Sequence, residues 1–184
     1  MTRIAEPKVK ITPEVVIPAT VEFSDKAKER LLRLARLLRA DARRKGGIKF
    51  DMNIFCATKD IETKPSTSCG TRACALGLAA LSDEFKREGL GYKVDPYFSY
   101  ESGKIINGIV FLYKGKGFGG NEMRVASLVF DIPEDVASWL FSGEAPTRTN
   151  GEGAKAEIEM AEIIEKAAKG DIPEHIIESL VEFA

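Results

Sequence analysis

The 184-residue sequence holds one histidine, one tryptophan and three cysteines. Each scarcity removes a class of chemistry. With His175 the sole imidazole, a Ser-His-Asp triad is excluded unless His175 is itself the base. Three thiols and one imidazole, Cys56, Cys69, Cys74 and His175, formally make a Cys₃His set. Their spacing argues against zinc, because Cys69 and Cys74 form a lone C-x₄-C with one distant thiol and no second knuckle. Neither a metal nor a cofactor is expected, and a Cys69–Cys74 disulfide is disfavoured because on a helix starting near Gly70 the two side chains point roughly 140° apart. No apolar run approaches the roughly 20 residues of a membrane helix, and Met1 to Lys10 carries charge and proline instead of an apolar leader core. The expectation is a cytoplasmic protein with no membrane partner.

Net charge is also nearly absent, at -1, against the basic excess of a dedicated nucleic-acid binder. The charge is unevenly placed, however. Residues 24–45 carry +6 and residues 152–184 carry -6. The two segments either pair within the fold or are separate solvated helix faces. The second reading is preferred, since an exposed ion pair contributes only about 0–1 kcal/mol. A phosphate-backbone surface through Arg36, Arg39 and Arg43 stays open.

What is present organises into one domain over 24–184, with 1–23 as an extended lead-in. Pro7, Pro13 and Pro18 deny that lead-in a long helix and leave room for one short edge strand near Val15 to Ile17. Ser24 reads as an N-cap for a helix whose Ala27, Leu31, Leu34, Ala35, Leu38 and Ala42 share one face, stopped at Gly46-Gly47. Ile48 to Phe55 alternates as a half-buried strand, and polar Ala57 to Ser68 reads as a loop. The stretch Cys69 to Leu81 is apolar or small almost throughout, the composition of a buried helix starting near Gly70. Residues 91–100 and 105–113 with a turn at 101–104 make a β-hairpin.

Gly115 to Gly120 precedes a helix over 122–130 but fits neither phosphate-loop pattern, and reads as a connector. The tetrapeptide Asp-Ile-Pro-Glu occurs at 131 and again at 171, each Asp reading as an N-cap three residues before a Glu. Closing helices follow at 154–168 and 172–183. The fold class is therefore α+β: a small, mainly antiparallel sheet with a β-hairpin, packed on a buried central helix and flanked by others.

The chemically distinctive place is the expected helix start. A buried helix opening at Ser68-Cys69-Gly70-Thr71-Arg72 would aim unpartnered N–H groups and a positive dipole end at the Cys69 sulfur, lowering its pKa. Cys69 is thus a candidate nucleophile, with Asp51, Asn53 or His175 as helpers. Ser68, Cys69, Gly70, Thr71 and Arg72 together are a candidate anion or small-ligand site. The plainer alternative is packing, as free cysteines are among the most buried residues, and Cys56 and Cys74 are read as core. Gly77, with Ala73 and Ala80, adds a small-residue stripe for close packing.

The pattern Cys69-Gly70-Thr71-x-x-Cys74-x-x-Gly77-x-Ala79 resembles a group of phage and bacterial proteins that carry C-G-T-x-x-C-x-x-G-x-A and have no assigned activity. Phe50-Asp51-Met52 upstream, and the segment Ile132 to Phe141 ending in Leu140-Phe141, are similar to the same group, so the likeness spans about residues 48 to 168. Members often carry Trp or His where this chain has Leu78, so an imidazole ligand there is lacking. Three readings follow. The first is a non-enzymatic phage or bacterial accessory protein working through protein or nucleic-acid contacts. The second is a thiol-dependent enzyme centred on Cys69, and the third is anion binding at Ser68 to Arg72.

Overall fold

The computed structural model describes residues 21–58, 64–66, 71–118, 120–142 and 152–182. The expected strand at Val15 to Ile17, the residues Ser68, Cys69 and Gly70, and residues 143–151 lie outside the described residues. Within them the class is α+β, with seven helices and one five-stranded sheet.

Helix α1, Asp25–Ala42, starts where the sequence places it: the Ser24 hydroxyl accepts the Ala27 N–H at 3.1 Å. Its expected apolar face is buried from Ala27 to Leu38, and Gly46 supplies a left-handed turn at φ 73° beyond its end. The strand expected over 48–55 is interrupted. Only Lys49–Phe50 (β1) is strand, because the buried Asp51 carboxylate takes the Asn53 N–H at 3.0 Å and the Asp51 carbonyl takes the Ile54 N–H. That local turn diverts the chain into β2, Cys56–Thr58, where a loop was expected.

The larger correction concerns the cysteine motif. Thr71–Ala73 is a strand (β3), and the buried helix α2 begins five residues later than expected, at Ala75–Leu81 with Cys74 as its N-cap. Small apolar residues serve equally in a buried strand and a buried helix, so periodicity alone could not place the boundary. A short helix α3, Asp83–Arg87, leads into the hairpin of β4, Leu90–Ser99, and β5, Lys104–Tyr113, as expected. Then come α4 (Glu122–Phe130), α5 (Glu134–Phe141), α6 (Gly153–Ala167) and α7 (Glu174–Glu182).

Both Asp-Ile-Pro-Glu copies precede a helix, each of which starts at the Glu. Asp131 is not the N-cap that was expected. It closes α4 in the left-handed region and accepts the Ser24 hydroxyl at 2.9 Å, while Pro133 is the N-cap of α5.

The sheet order is β1-β3-β2-β5-β4, with β1 parallel to β3 and every other pairing antiparallel. One side of the sheet faces the core. Phe50, Ala73 and Cys56 lie on it as paired or adjacent-strand neighbours, and α2 packs there. A single apolar cluster runs from Phe23 to Ile177, joining α1, α2, α4, α5 and α6 to this side.

Candidate functional site

The described part of the C-G-T motif is buried throughout: Thr71, Cys74, Gly77 and Ala79. Cys74 and Gly77 converge on the Ile54–Phe55 connector. The Cys74 N–H donates to the Ile54 carbonyl at 2.8 Å, and the Cys74 thiol points at the Phe55 carbonyl, 3.7 Å away. Gly77 lies so close that a Cβ there would sit 1.7 Å from the same Phe55 oxygen. The Thr71 hydroxyl accepts the Ser66 N–H at 3.1 Å. The Cys74 and Gly77 contacts fasten α2 to this connector, while Thr71 and Ala79 are simply buried.

The helix-start thiol is Cys74. Leu76 and Gly77 amides pull its pKa down, yet burial outweighs them and pushes it up to about 11. Burial likewise pushes Cys56 up to about 12, with Cys74 nearby adding to it. Both are protonated core thiols, as the sequence reading held. Cys69 itself lies outside the described residues; the helix whose first turn was expected near Gly70 begins at Ala75, and the described part of the motif enters β3 at Thr71. The anion site loses the same support, since Thr71 and Arg72 are strand residues and offer no helix N-terminus. His175 is exposed on α7, which packs against α5.

Arg72 lies on the sheet's outer side, in register with Lys49, Ala57 and, through Ala57, Gly108. Its guanidinium pairs with the buried Asp51 carboxylate and, at 2.8 Å, with Glu101 on the hairpin turn. Beside it is a cleft of about 270 Å³ lined by Ile54, Ala57, Thr58, Tyr97 and Ile106, with the Tyr97 ring lying over Gly108. Burial raises the Tyr97 phenol further above its ordinary value. Two carboxylates already occupy Arg72, and among the described residues no thiol or imidazole lines the cleft, so this is a tie between β3 and the hairpin turn.

A larger cavity, about 560 Å³, opens between α6, the α5 residue Trp139 and the approach to α7. Ile158, Ile163 and Ile172 line it together with Lys155, Glu162 and Lys166, with no thiol or imidazole among the described lining residues. Among the described residues no cluster of three His, Cys, Asp or Glu side chains is arranged to hold a metal, and no helix is long and apolar enough to cross a membrane.

Three arginines of the basic helix are committed to partners elsewhere in the fold. Arg30 is buried, pairs with Glu88 and donates to the Val129 carbonyl at 2.7 Å. Arg33 bonds Glu88 and Glu84, and Arg39 grips Glu165 of α6 through two nitrogens at 3.0 and 2.9 Å. The preference for a solvated face is corrected for Arg39, which spans the +6 and -6 segments. Arg36 and Arg43 remain exposed.

The outward feature missed by sequence reasoning is the far half of the hairpin. Leu90 and Phe111 are buried, with α2 and α3 against β4 and α4 against β5. Farther along the same side the helical layer ends. Register places Val94 opposite Ile109 and Phe98 opposite Ile105, and exposure rises to 43% for Val94, 51% for Phe98 and 53% for Ile105. Tyr100 at the turn is 94% exposed and meets Phe98 edge to face. The signal in the sequence was apolar composition maintained on this side up to the turn; nothing in it told where the helices would stop.

No family model, curated protein or solved structure matches the chain.

Proposed function

We propose that the protein is a non-enzymatic accessory protein that works by protein contact through the distal half of its β4–β5 hairpin. The observation that carries this reading is the bare apolar strip Val94, Phe98, Tyr100 and Ile105 on a sheet side that is covered elsewhere. Contiguous exposed apolar surface marks interaction sites in folded proteins, and aromatic side chains on a rigid hairpin supply contact area at small entropic cost. A phage or bacterial setting follows from the C-G-T resemblance and is part of the proposal.

Protein is preferred to nucleic acid because Arg39, central to the basic face, is already bound to Glu165, and net charge is -1. The thiol-enzyme reading now rests on Cys69 alone.

A photo-crosslinking side chain at position 98 tests the proposal, with a second at exposed His175 as control. The expected result is a discrete protein adduct at 98 only, abolished by Ile105→Asp without a change in melting temperature. Retention on DNA at low salt, lost with Arg36→Ala and Arg43→Ala, would replace the proposal with nucleic-acid contact.

A further inference from the structure

Resting on that reading, we infer that the hairpin's partner is a second copy of this chain, joined edge to edge along β4 about a two-fold axis at Val94. Among the described residues strand β4 is the outer strand of the sheet, and its outward hydrogen-bonding groups can be assigned. Asn107 turns its N–H and C=O toward the Thr58 hydroxyl of β2. Its partner on β4, Pro96, therefore faces away from β5, and alternation places the N–H and C=O groups of Leu90, Tyr92, Val94 and Phe98 on the open edge. The Gly89 carbonyl, in the opposite set, accordingly accepts the Lys114 N–H. An edge of this kind is a template for strand addition.

Charge selects the register. With the axis at Val94, each Lys93 stands opposite the second copy's Asp95, giving two opposite-charge pairs on one side of the joint sheet. Moving the axis to Lys93 or Asp95 sets like charges face to face. Lys93 and Asp95 are exposed and make no ion pair among the described residues.

The same register matches the apolar side. Phe98 comes opposite the second copy's Leu90, whose end of β4 is covered by α2 and α3, so each bare half lies beside a covered half. Gly91 comes opposite Tyr97, repeating the ring-on-glycine contact that Tyr97 makes with Gly108. Pro96 meets Tyr92, and its missing N–H interrupts the ladder at two symmetric points, which keeps the edge from accepting strands indiscriminately.

Sedimentation equilibrium of the full chain, with Lys93→Glu and Asp95→Lys separately and mixed, tests the inference. Wild type is expected to dimerise reversibly. Each variant alone places like charges opposite and should weaken the dimer at least about tenfold. An equimolar mixture restores both pairs, Glu with Lys and Asp with Lys, and should dimerise within about threefold of wild type. Unchanged melting temperatures would show that both variants fold. A wild-type monomer at all concentrations, indifference to both substitutions, or no recovery on mixing overturns the inference. The crosslinker at position 98 separates the two levels: an adduct of twice the chain mass supports self-association. An adduct with a different protein and a monomeric chain overturns the second copy while leaving the hairpin reading. No protein adduct at all overturns both.

Discussion

Gly77→Ala is the sharpest perturbation of the motif. Helix α2 is buried along its whole length, and the added Cβ would fall 1.7 Å from the Phe55 carbonyl oxygen and 2.9 Å from the Ala73 Cβ. An ordinary carbon–oxygen contact needs about twice the first distance, so the helix must withdraw from the sheet by roughly 1.5 Å in a close-packed interior. The obstacle is backbone, held by its own place between Ile54 and β2, and cannot swing aside. Alanine recovers about 1 kcal/mol of helix propensity. Overpacking against fixed atoms costs at least the upper part of the usual 1–3 kcal/mol, and retreat loosens Leu76 and Ala80 besides.

The expected net loss is about 3 kcal/mol, or a melting temperature lower by about 6–12 °C for a chain of this size. Urea unfolding followed by the single Trp139 would measure it. Gly47→Ala is the control: there the Cβ would meet the Asp41 carboxylate at 2.8 Å, a side chain able to shift, so the loss should be smaller. Stability of Gly77→Ala equal to or above wild type would refute the packing account of the motif.

Three other outcomes follow from buried polar groups. Burial, with Asp41 nearby, pushes the Glu157 carboxyl up to about 8 from an ordinary 4.5, so its contribution is fully present below pH 4.5 and drains away as pH rises toward 8. Wild type should lose on the order of 4 kcal/mol across that window, Glu157→Gln should flatten the slope, and equal slopes in urea titrations from pH 5 to 8 would contradict the assignment. Thiol labelling of the native protein at neutral pH should leave Cys56 and Cys74 silent until the chain opens; one fast equivalent identifies Cys69 as reactive, and none removes the thiol-enzyme reading. Glu88→Gln strips the carboxylate from buried Arg30 and from Arg33 and should cost about 2–3 kcal/mol in denaturant melts, whereas a loss below about 0.5 kcal/mol would mean that the pair is solvated.

Those elements whose signals are local were legible from the residues. The Ser24 cap and the 3.6-residue spacing of Leu31, Leu34 and Leu38 gave α1, and turn composition between two β-branched runs gave the hairpin. Two boundaries failed for physical reasons. Asp51 alternates correctly as a strand residue, but its carboxylate binds the Asn53 N–H and Arg72, so a residue expected on the polar side is buried and ends β1. In Thr71 to Leu81 every described residue except Arg72 is buried, which erases the contrast between faces on which periodicity depends. The candidate site was hidden differently. Val94, Phe98 and Ile105 look like core in sequence, and only the finite length of the helical layer leaves them outside.

The charge distribution follows the same logic of long-range partners. Read along the chain, +6 over residues 24–45 invites an external anion. In the folded molecule Glu88, 58 residues after Arg30, and Glu165, 126 residues after Arg39, neutralise the middle of α1 from two different helical neighbours. Their carboxyls are held below the ordinary carboxylate range by the hydrogen bonds and charge of those arginines. At Arg30, Arg33 and Arg39 an outside phosphate would have to displace carboxylates already seated in bidentate or shared geometry. An apolar partner displaces only water from the hairpin. On the proposed reading, association uses the apolar strip on the β4–β5 hairpin, and Lys93 and Asp95, exposed and of opposite charge on β4, set its alignment.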